Sequence, residues 1–194
     1  MWFIISAVLA ATPFPCDTKA SLEMSAEYGA LTSGQRACLQ GVTKFDGAHQ
    51  ADASQLLILD ASARGDRSAW ARVVAYHLDH IDGYSPELNY AYARFLFVSH
   101  RAEELIDFST RALRHAETWD DPVKVVALHR FRTTAAMQRW TETTVGIDRV
   151  HAFAADWVRA SAAAGQLDTT AVQICRTTGE PSDCDVSETV ASVF

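Results

Sequence analysis

Apolar residues in the middle of the chain recur with the period of an α-helix. Between Trp70 and Ile81 they fall at i, i+3, i+4, i+7, i+8 and i+11, which places them on one face of a helix. No stretch alternates with the period of two that a half-buried strand requires. The pattern therefore predicts an all-α chain with three amphipathic stripes: Trp70, Val73, Val74, His77, Leu78 and Ile81; Ala102, Leu105, Ile106, Ser109, Ala112, Leu113 and Ala116; and Val150, Phe153, Ala154, Trp157, Val158, Ser161 and Ala162.

Glycine, proline and capping residues divide this helical region at regular intervals. Gly65 and Gly83 are expected to close helices, and Ser85-Pro86 and Asp121-Pro122 each combine a cap with proline at the first helical position. Helices are thus predicted to start near residues 51, 86 and 122, which are 35 and 36 residues apart, with partner helices starting near 66 and 101. Such a period with two helices per unit is typical of a helical-hairpin solenoid.

The unit PELNYAYARFLFVSHRAEELIDFSTRALRHAETW, residues 86–119, resembles a tetratricopeptide repeat. Ala93 stands where that family has a small residue for close helix contact, and Ala112-Leu113 match its Ala-Leu near the end of the second helix. The unit at 51–84 keeps the lengths, and in the third unit the second helix is delayed to about residue 148. The resemblance spans 51–165 and implies a right-handed superhelix of about three hairpins with capping segments at both ends.

The resemblance also implies a binding surface, because in this family the first helices of successive units line a concave groove that holds extended peptides or partner helices. In the unit 86–119 the matching positions lie on one face of the first helix. Tyr and Arg at such positions are common anchors of interfaces, although the aromatic residues could equally be core. The predicted partner-binding residues are Glu87, Tyr90, Arg94 and Phe97, with Gln55 and Leu59 in the preceding unit and His129 and Thr133 in the following one.

The N-terminus carries an apolar run from Trp2 to Ala11 that Thr12, Pro13 and Pro15 interrupt. A bilayer span needs about 20 apolar residues, so this run predicts a secretory signal over residues 1–15 rather than a stable span. The first basic residue is Lys19, so either the signal is atypical or the true start lies upstream. A buried N-terminal helix is the alternative.

Four cysteines lie outside the repeat region, in predicted caps at 16–50 and 166–194. In an exported chain they favour disulfides, for which three pairings exist; in a cytosolic chain they would be free thiols. The turn residues Gly-Glu-Pro between Cys175 and Cys184 favour that pair, which leaves Cys16 with Cys38. Zinc is disfavoured because the spacings offer no tight ligand pair. We expect a periplasmic or extracellular location.

Composition narrows the function further. With 194 residues, 48% of them hydrophobic, the chain is expected to form one domain. Its net charge of -7 disfavours a nucleic-acid partner. Phosphate-binding glycine loops and the Gly-x-Ser-x-Gly elbow do not occur, so no catalytic residue and no cofactor is predicted. With these classes disfavoured, the tetratricopeptide resemblance implies an exported, non-enzymatic protein-binding scaffold or adaptor whose partner is a protein or peptide.

The stretch HLDHIDGYSP, residues 77–86, could be interpreted in two ways. Two histidines three apart with two aspartates could ligate a metal, or they could be the end of one helix and the start of the next. Helix geometry favours the second: His77 lies on the apolar stripe, and His80 lies at the helix end. Two alternatives remain, namely a self-associating structural protein and an envelope enzyme or metal-binding protein using His77, His80, His129 and His151.

Overall fold

The computed structural model describes residues 14–45, 47–142 and 146–185, and all regular secondary structure within those ranges is helical. Residues 1–13 of the predicted signal lie outside the described part. No helix that the structure describes is long and apolar enough to cross a membrane. The helices are α1 (Lys19–Glu27), α2 (Ser33–Val42), α3 (Gln50–Ala63), α4 (Arg67–His80), α5 (Pro86–Val98), α6 (Ala102–Ala112), α7 (Pro122–Glu142), α8 (Ile147–Ala163) and α9 (Thr169–Thr178), with 3₁₀ turns at Leu113–Thr118 and Pro181–Cys184.

The predicted helix starts are confirmed to within one residue, because the local capping chemistry forms as expected. The Ser85 hydroxyl accepts a hydrogen bond from the Leu88 amide at 3.3 Å, and Pro86 opens α5. Asp121 caps α7 in the same way, accepting from the Lys124 amide at 3.1 Å. Gly65 takes a φ of 65° and closes α3. Glycine is favoured at position 83 for a different reason: a Cβ there would lie 3.0 Å from the Leu78 carbonyl oxygen.

The chain divides into two compact units, one up to His77 and one from Leu78, where a single domain was expected. In the first unit, α1 and α2 both pack on α3. The Cys16–Cys38 disulfide ties the residues before α1 to α2. The predicted N-terminal cap thus covers the apolar side of α3, and its core consists of Leu22, Ala26, Leu31, Leu39, Ala53, Leu56 and Leu57.

A buried carboxylate joins three segments of this first unit. Asp60 on α3 has a relative exposure of 0% and accepts hydrogen bonds from the Arg64 Nε at 2.9 Å and from the Leu31 amide at 3.2 Å. Arg36 lies 3.6 Å from the same carboxylate. Because two guanidinium groups and an amide satisfy the charge, Asp60 fixes the position of the α1–α2 loop on α3.

In the second unit each helix packs against its neighbour along the chain, from α5 on α6 to α8 on α9, and α5 also packs on α7. The start of α8 at Ile147 confirms the predicted delay of the last second helix, because α7 extends over 21 residues. The C-terminal end is closed by α9 and the Cys175–Cys184 disulfide. Both disulfides therefore have the pairing expected from the sequence, and Trp157 with Val158 of α8 packs on this end.

Candidate partner-binding surface

The four residues predicted on α5 have side chains on one side of that helix and differ in exposure. Glu87 and Arg94 are exposed, Tyr90 is half-buried, and Phe97 is 39% exposed. The opposite side of α5 is buried by Ala93 and Leu96. Three of the four therefore remain at the surface, and the interpretation of Tyr90 and Phe97 as pure core is too simple.

An aromatic residue on α7 connects the two aromatic residues of α5. The Phe131 ring stacks on Tyr90 with ring centroids 5.9 Å apart and on Phe97 at 5.1 Å. Tyr90 and Phe97 are two helical turns apart, about 10 Å along α5, so Phe131 bridges them. We call Tyr90, Phe131 and Phe97 the aromatic row. The two stacked contacts join the three rings, and Phe97 remains 39% exposed.

An ion-pair group lies at the N-terminal end of both helices. The Lys124 ammonium on α7 lies 3.0 Å from a Glu87 carboxylate oxygen on α5, and it also pairs with Asp121. The Asp121 and Glu87 hydrogen bonds raise the pKa of Lys124, and Lys124 lowers the pKa of each carboxyl group. Arg94 lies two turns after Glu87 on the exposed side of α5. The surface thus offers aromatic area, an exposed cation and an ion pair.

A polar cavity of about 230 Å³ lies where α5 ends and α6 begins. His100 there takes the left-handed conformation with a φ of 56°. Arg101 of this loop pairs with Glu104, with the Nε 2.7 Å from a carboxylate oxygen, and Arg139 on α7 pairs with Glu103. Both signs of charge are satisfied within the cavity wall, so the cavity has no strong preference for an ion of either charge.

The two residues predicted on α7 lie on a different side of that helix from Phe131. Thr133 is fully buried at 0% exposure, and its hydroxyl donates to the His129 carbonyl oxygen. His129 is mostly buried beside Arg132, which is bound to Asp156 on α8. Each position is two residues from Phe131, about 200° around the helix. A partner lying along the aromatic row would not reach either side chain.

Gln55 and Leu59 lie on α3 of the first unit, and both are exposed. Leu59 is one of the large apolar side chains that this unit leaves in solvent. Both side chains are accessible on the first unit, and their role as partner-binding residues stays a prediction for that unit.

The histidine and aspartate side chains of the stretch 77–86 make contacts within the fold. His77 is 1% exposed, and its Nδ1 hydrogen-bonds with the Ser54 hydroxyl on α3 at 3.0 Å, so it packs within its own hairpin. Asp79 pairs with Arg111 at 3.8 Å, and Asp82 accepts from the Tyr84 amide at 2.9 Å. Within the described ranges no metal-binding group includes these residues; the one group of suitable side chains is elsewhere, at His151, Cys175 and Cys184.

Sequence reasoning missed Lys124 and Phe131, the α7 part of the candidate surface. A one-residue shift in the register between repeats rotates a helix by about 100°, which is enough to move a side chain off the surface. The spacing of Lys124 and Phe131, i and i+7, matches that of Glu87 and Arg94 on α5. That shared spacing was the available signal.

A scan against family models, a search of curated proteins and a search of solved structures each find no match.

Proposed function

We propose that this is an exported protein-binding module that takes an extended peptide or a partner helix along the α5–α7 face. The observation that carries the proposal is the aromatic row, because it combines rigid stacked rings with the partly exposed Phe97. Aromatic residues and arginine contribute most of the binding energy at many interfaces, since they bury large area while keeping a polar contact. Arg94 supplies such a cation on the same helix.

Two further features support this proposal. The tetratricopeptide resemblance assigns partner binding to the first helices of its units, and the aromatic row joins α5 and α7, which are both first helices. In addition, both pairs of cysteines form disulfides, which persist in oxidising compartments and are rare in the cytosol. The proposal therefore places the module in the periplasm or outside the cell, and it involves no chemistry by the chain itself.

The test is selection of peptides from a displayed random library on the oxidised protein, followed by calorimetric measurement of the dissociation constant. We expect enriched peptides with an apolar anchor and an acidic residue for Arg94. Phe97→Ala should weaken binding by at least about tenfold, as truncation of a central anchor does. Arg94→Glu should weaken binding further as salt is lowered, because repulsion replaces attraction.

Trp140→Ala is the matched control. Trp140 is 42% exposed, close to the 39% of Phe97, and lies on α7 nine residues after Phe131, about 180° around the helix. Its truncation should leave the dissociation constant within about twofold. Failure to enrich any peptide, or equal effects of Phe97→Ala and Trp140→Ala, would contradict the proposal.

A further inference from the structure

The C-terminal end of the second unit brings three metal-ligating side chains together from three elements. His151 comes from α8, Cys175 from α9 and Cys184 from the following 3₁₀ turn. One potential ligand atom from each lies within 4.8 Å of the others, and the His151 Nδ1 is 4.0 Å from the Cys175 sulfur. We call these residues the His-Cys cluster. Both sulfurs are buried and His151 is largely so.

The imidazole of this cluster is held in a fixed orientation. Its Nε2 lies 3.1 Å from an Asp183 carboxylate oxygen, and its Nδ1 lies 3.1 Å from the Cys175 carbonyl oxygen. The ring also contacts the backbone at Gly179, where an added Cβ would come within 2.4 Å of it. A carboxylate on one ring nitrogen is found around metal-bound histidines, and here the other nitrogen, Nδ1, also lies 4.0 Å from the Cys175 sulfur.

We propose that the His-Cys cluster binds Zn²⁺ through the His151 Nδ1 and the two sulfurs when Cys175 and Cys184 are reduced. In a tetrahedral site with Zn–S of about 2.3 Å and Zn–N of about 2.0 Å, nitrogen and sulfur lie about 3.6 Å apart. The present 4.0 Å between Nδ1 and the Cys175 sulfur is close to that value. Once the disulfide is cleaved, the sulfurs can separate to the required distance of about 3.8 Å.

The bound and oxidised forms exclude each other. A dithiol reductant supplies the two electrons and two protons that convert the disulfide to two thiols, and is itself oxidised to a disulfide. Zinc then displaces both thiol protons, since thiolates are the ligands. Nδ1 exchanges the Cys175 carbonyl for the metal, so the proton with which Nδ1 donates to that carbonyl moves to Nε2 or to solvent, and Nε2–H donates to Asp183. Three protein ligands leave a fourth position for water.

The other cysteine pair provides an internal comparison. Cys16 and Cys38 join the residues before α1 to α2, and no third ligand accompanies them in the part of the chain that the structure describes. Two thiolates alone hold zinc more weakly than two thiolates with an imidazole. The inference is independent of the α5–α7 face, which contains none of these residues.

The experiment is zinc titration of the fully reduced, full-length protein against a chromophoric chelator, with cobalt as a spectroscopic substitute. We expect one zinc per chain and a thiolate-to-cobalt charge-transfer band from two thiolates. Cys16→Ser/Cys38→Ser should retain both. Cys175→Ser/Cys184→Ser should abolish them, and His151→Gln should weaken zinc binding by at least about tenfold.

Circular dichroism recorded during the same titration covers the case in which reduction unfolds the chain. If the helix content recovers when one zinc is added to the wild type and does not recover in His151→Gln, the result supports the site, because metal binding is coupled to folding. Three results would overturn the proposal: zinc uptake that follows Cys16 and Cys38, affinity unaffected by His151→Gln, or no stoichiometric binding by the reduced wild type.

Discussion

Acidification should destabilise the second unit through a single histidine between α7 and α8. His129 is mostly buried, and its pKa is lowered from 6.5 to about 4, chiefly by desolvation and then by the Arg132 cation. Arg132 Nη2 lies 3.2 Å from the His129 Nδ1 and donates to Asp156 at 2.7 Å, so the nearby carboxylate is already paired. Arg159, which also lowers this pKa, binds the other oxygen of Asp156. A proton on His129 would therefore be added beside cations in a poorly solvated site.

The magnitude follows from proton linkage. Because the unfolded chain binds the proton near pH 6.5 and the folded chain only near pH 4, stability is full above pH 6.5 and falls as the pH is lowered. The His129 contribution to the loss is about 2 kcal/mol by pH 5 and about 3 kcal/mol by pH 4. Carboxyl groups with lowered pKa values add their own losses, so the histidine must be isolated by difference.

The assay is urea unfolding of the oxidised protein between pH 7.5 and pH 4.5, comparing wild type with His129→Gln. The wild-type free energy of unfolding should fall more steeply than that of the variant, with the difference growing to between about 2 and 3 kcal/mol at the acid end. Thr134→Ser, a mild change on the same helix, should keep the wild-type slope. Parallel pH profiles for wild type and His129→Gln would refute the reasoning.

Three further changes test the packing account. Asp60→Asn should lower the free energy of unfolding by about 3 kcal/mol in urea titrations, because Arg36 and Arg64 lose their buried counter-charge. Glu104→Gln, at an exposed ion pair, should lower it by under about 1 kcal/mol. Equal losses in the two variants would contradict the structural role of Asp60. Gly179→Ala should lower the stability by about 1 to 3 kcal/mol, because the added Cβ would clash with the His151 ring. Gly41→Ala on α2 should not destabilise the protein, because a Cβ there has no neighbouring atom within 4 Å. The melting temperatures of the two variants, measured by thermal denaturation, test this difference. Replacing the N-terminal cysteine pair by serine should cost more than replacing the C-terminal pair, about 3.4 against 2.6 kcal/mol, since the loops span 22 and 9 residues.

Local sequence signals predicted the all-α class and the helix starts of the region 51–165. The Ser85-Pro86 and Asp121-Pro122 starts act through hydrogen bonds within three residues, so they can be identified without knowing the tertiary structure. The Cys175–Cys184 pairing was likewise predictable, because only eight residues, with Gly-Glu-Pro among them, separate the two cysteines. The division of the chain at His77 could not be predicted, because it depends on which contacts form between helices distant in sequence.

The candidate surface was only partly predictable. The α5 face followed from helical period within one well-matched unit, but Phe131 on α7 depends on the rotation of a second helix against the first. The sequence identified His151 as a candidate residue of a metal-binding protein but did not combine it with the cysteines, because His151 is 24 residues before Cys175 and only the packing of α8 on α9 brings the two together. The spacing of residues along the chain does not predict such a contact.

The most direct test of the proposed binding face is amide hydrogen exchange of the oxidised protein with and without a selected peptide. The account predicts that added protection is concentrated on α5 and on α7 around Phe131, with the exchange of α9 unchanged. Protection confined to α9 or to the first unit, or absent altogether at saturating peptide, would contradict the assignment of the α5–α7 face as the binding surface.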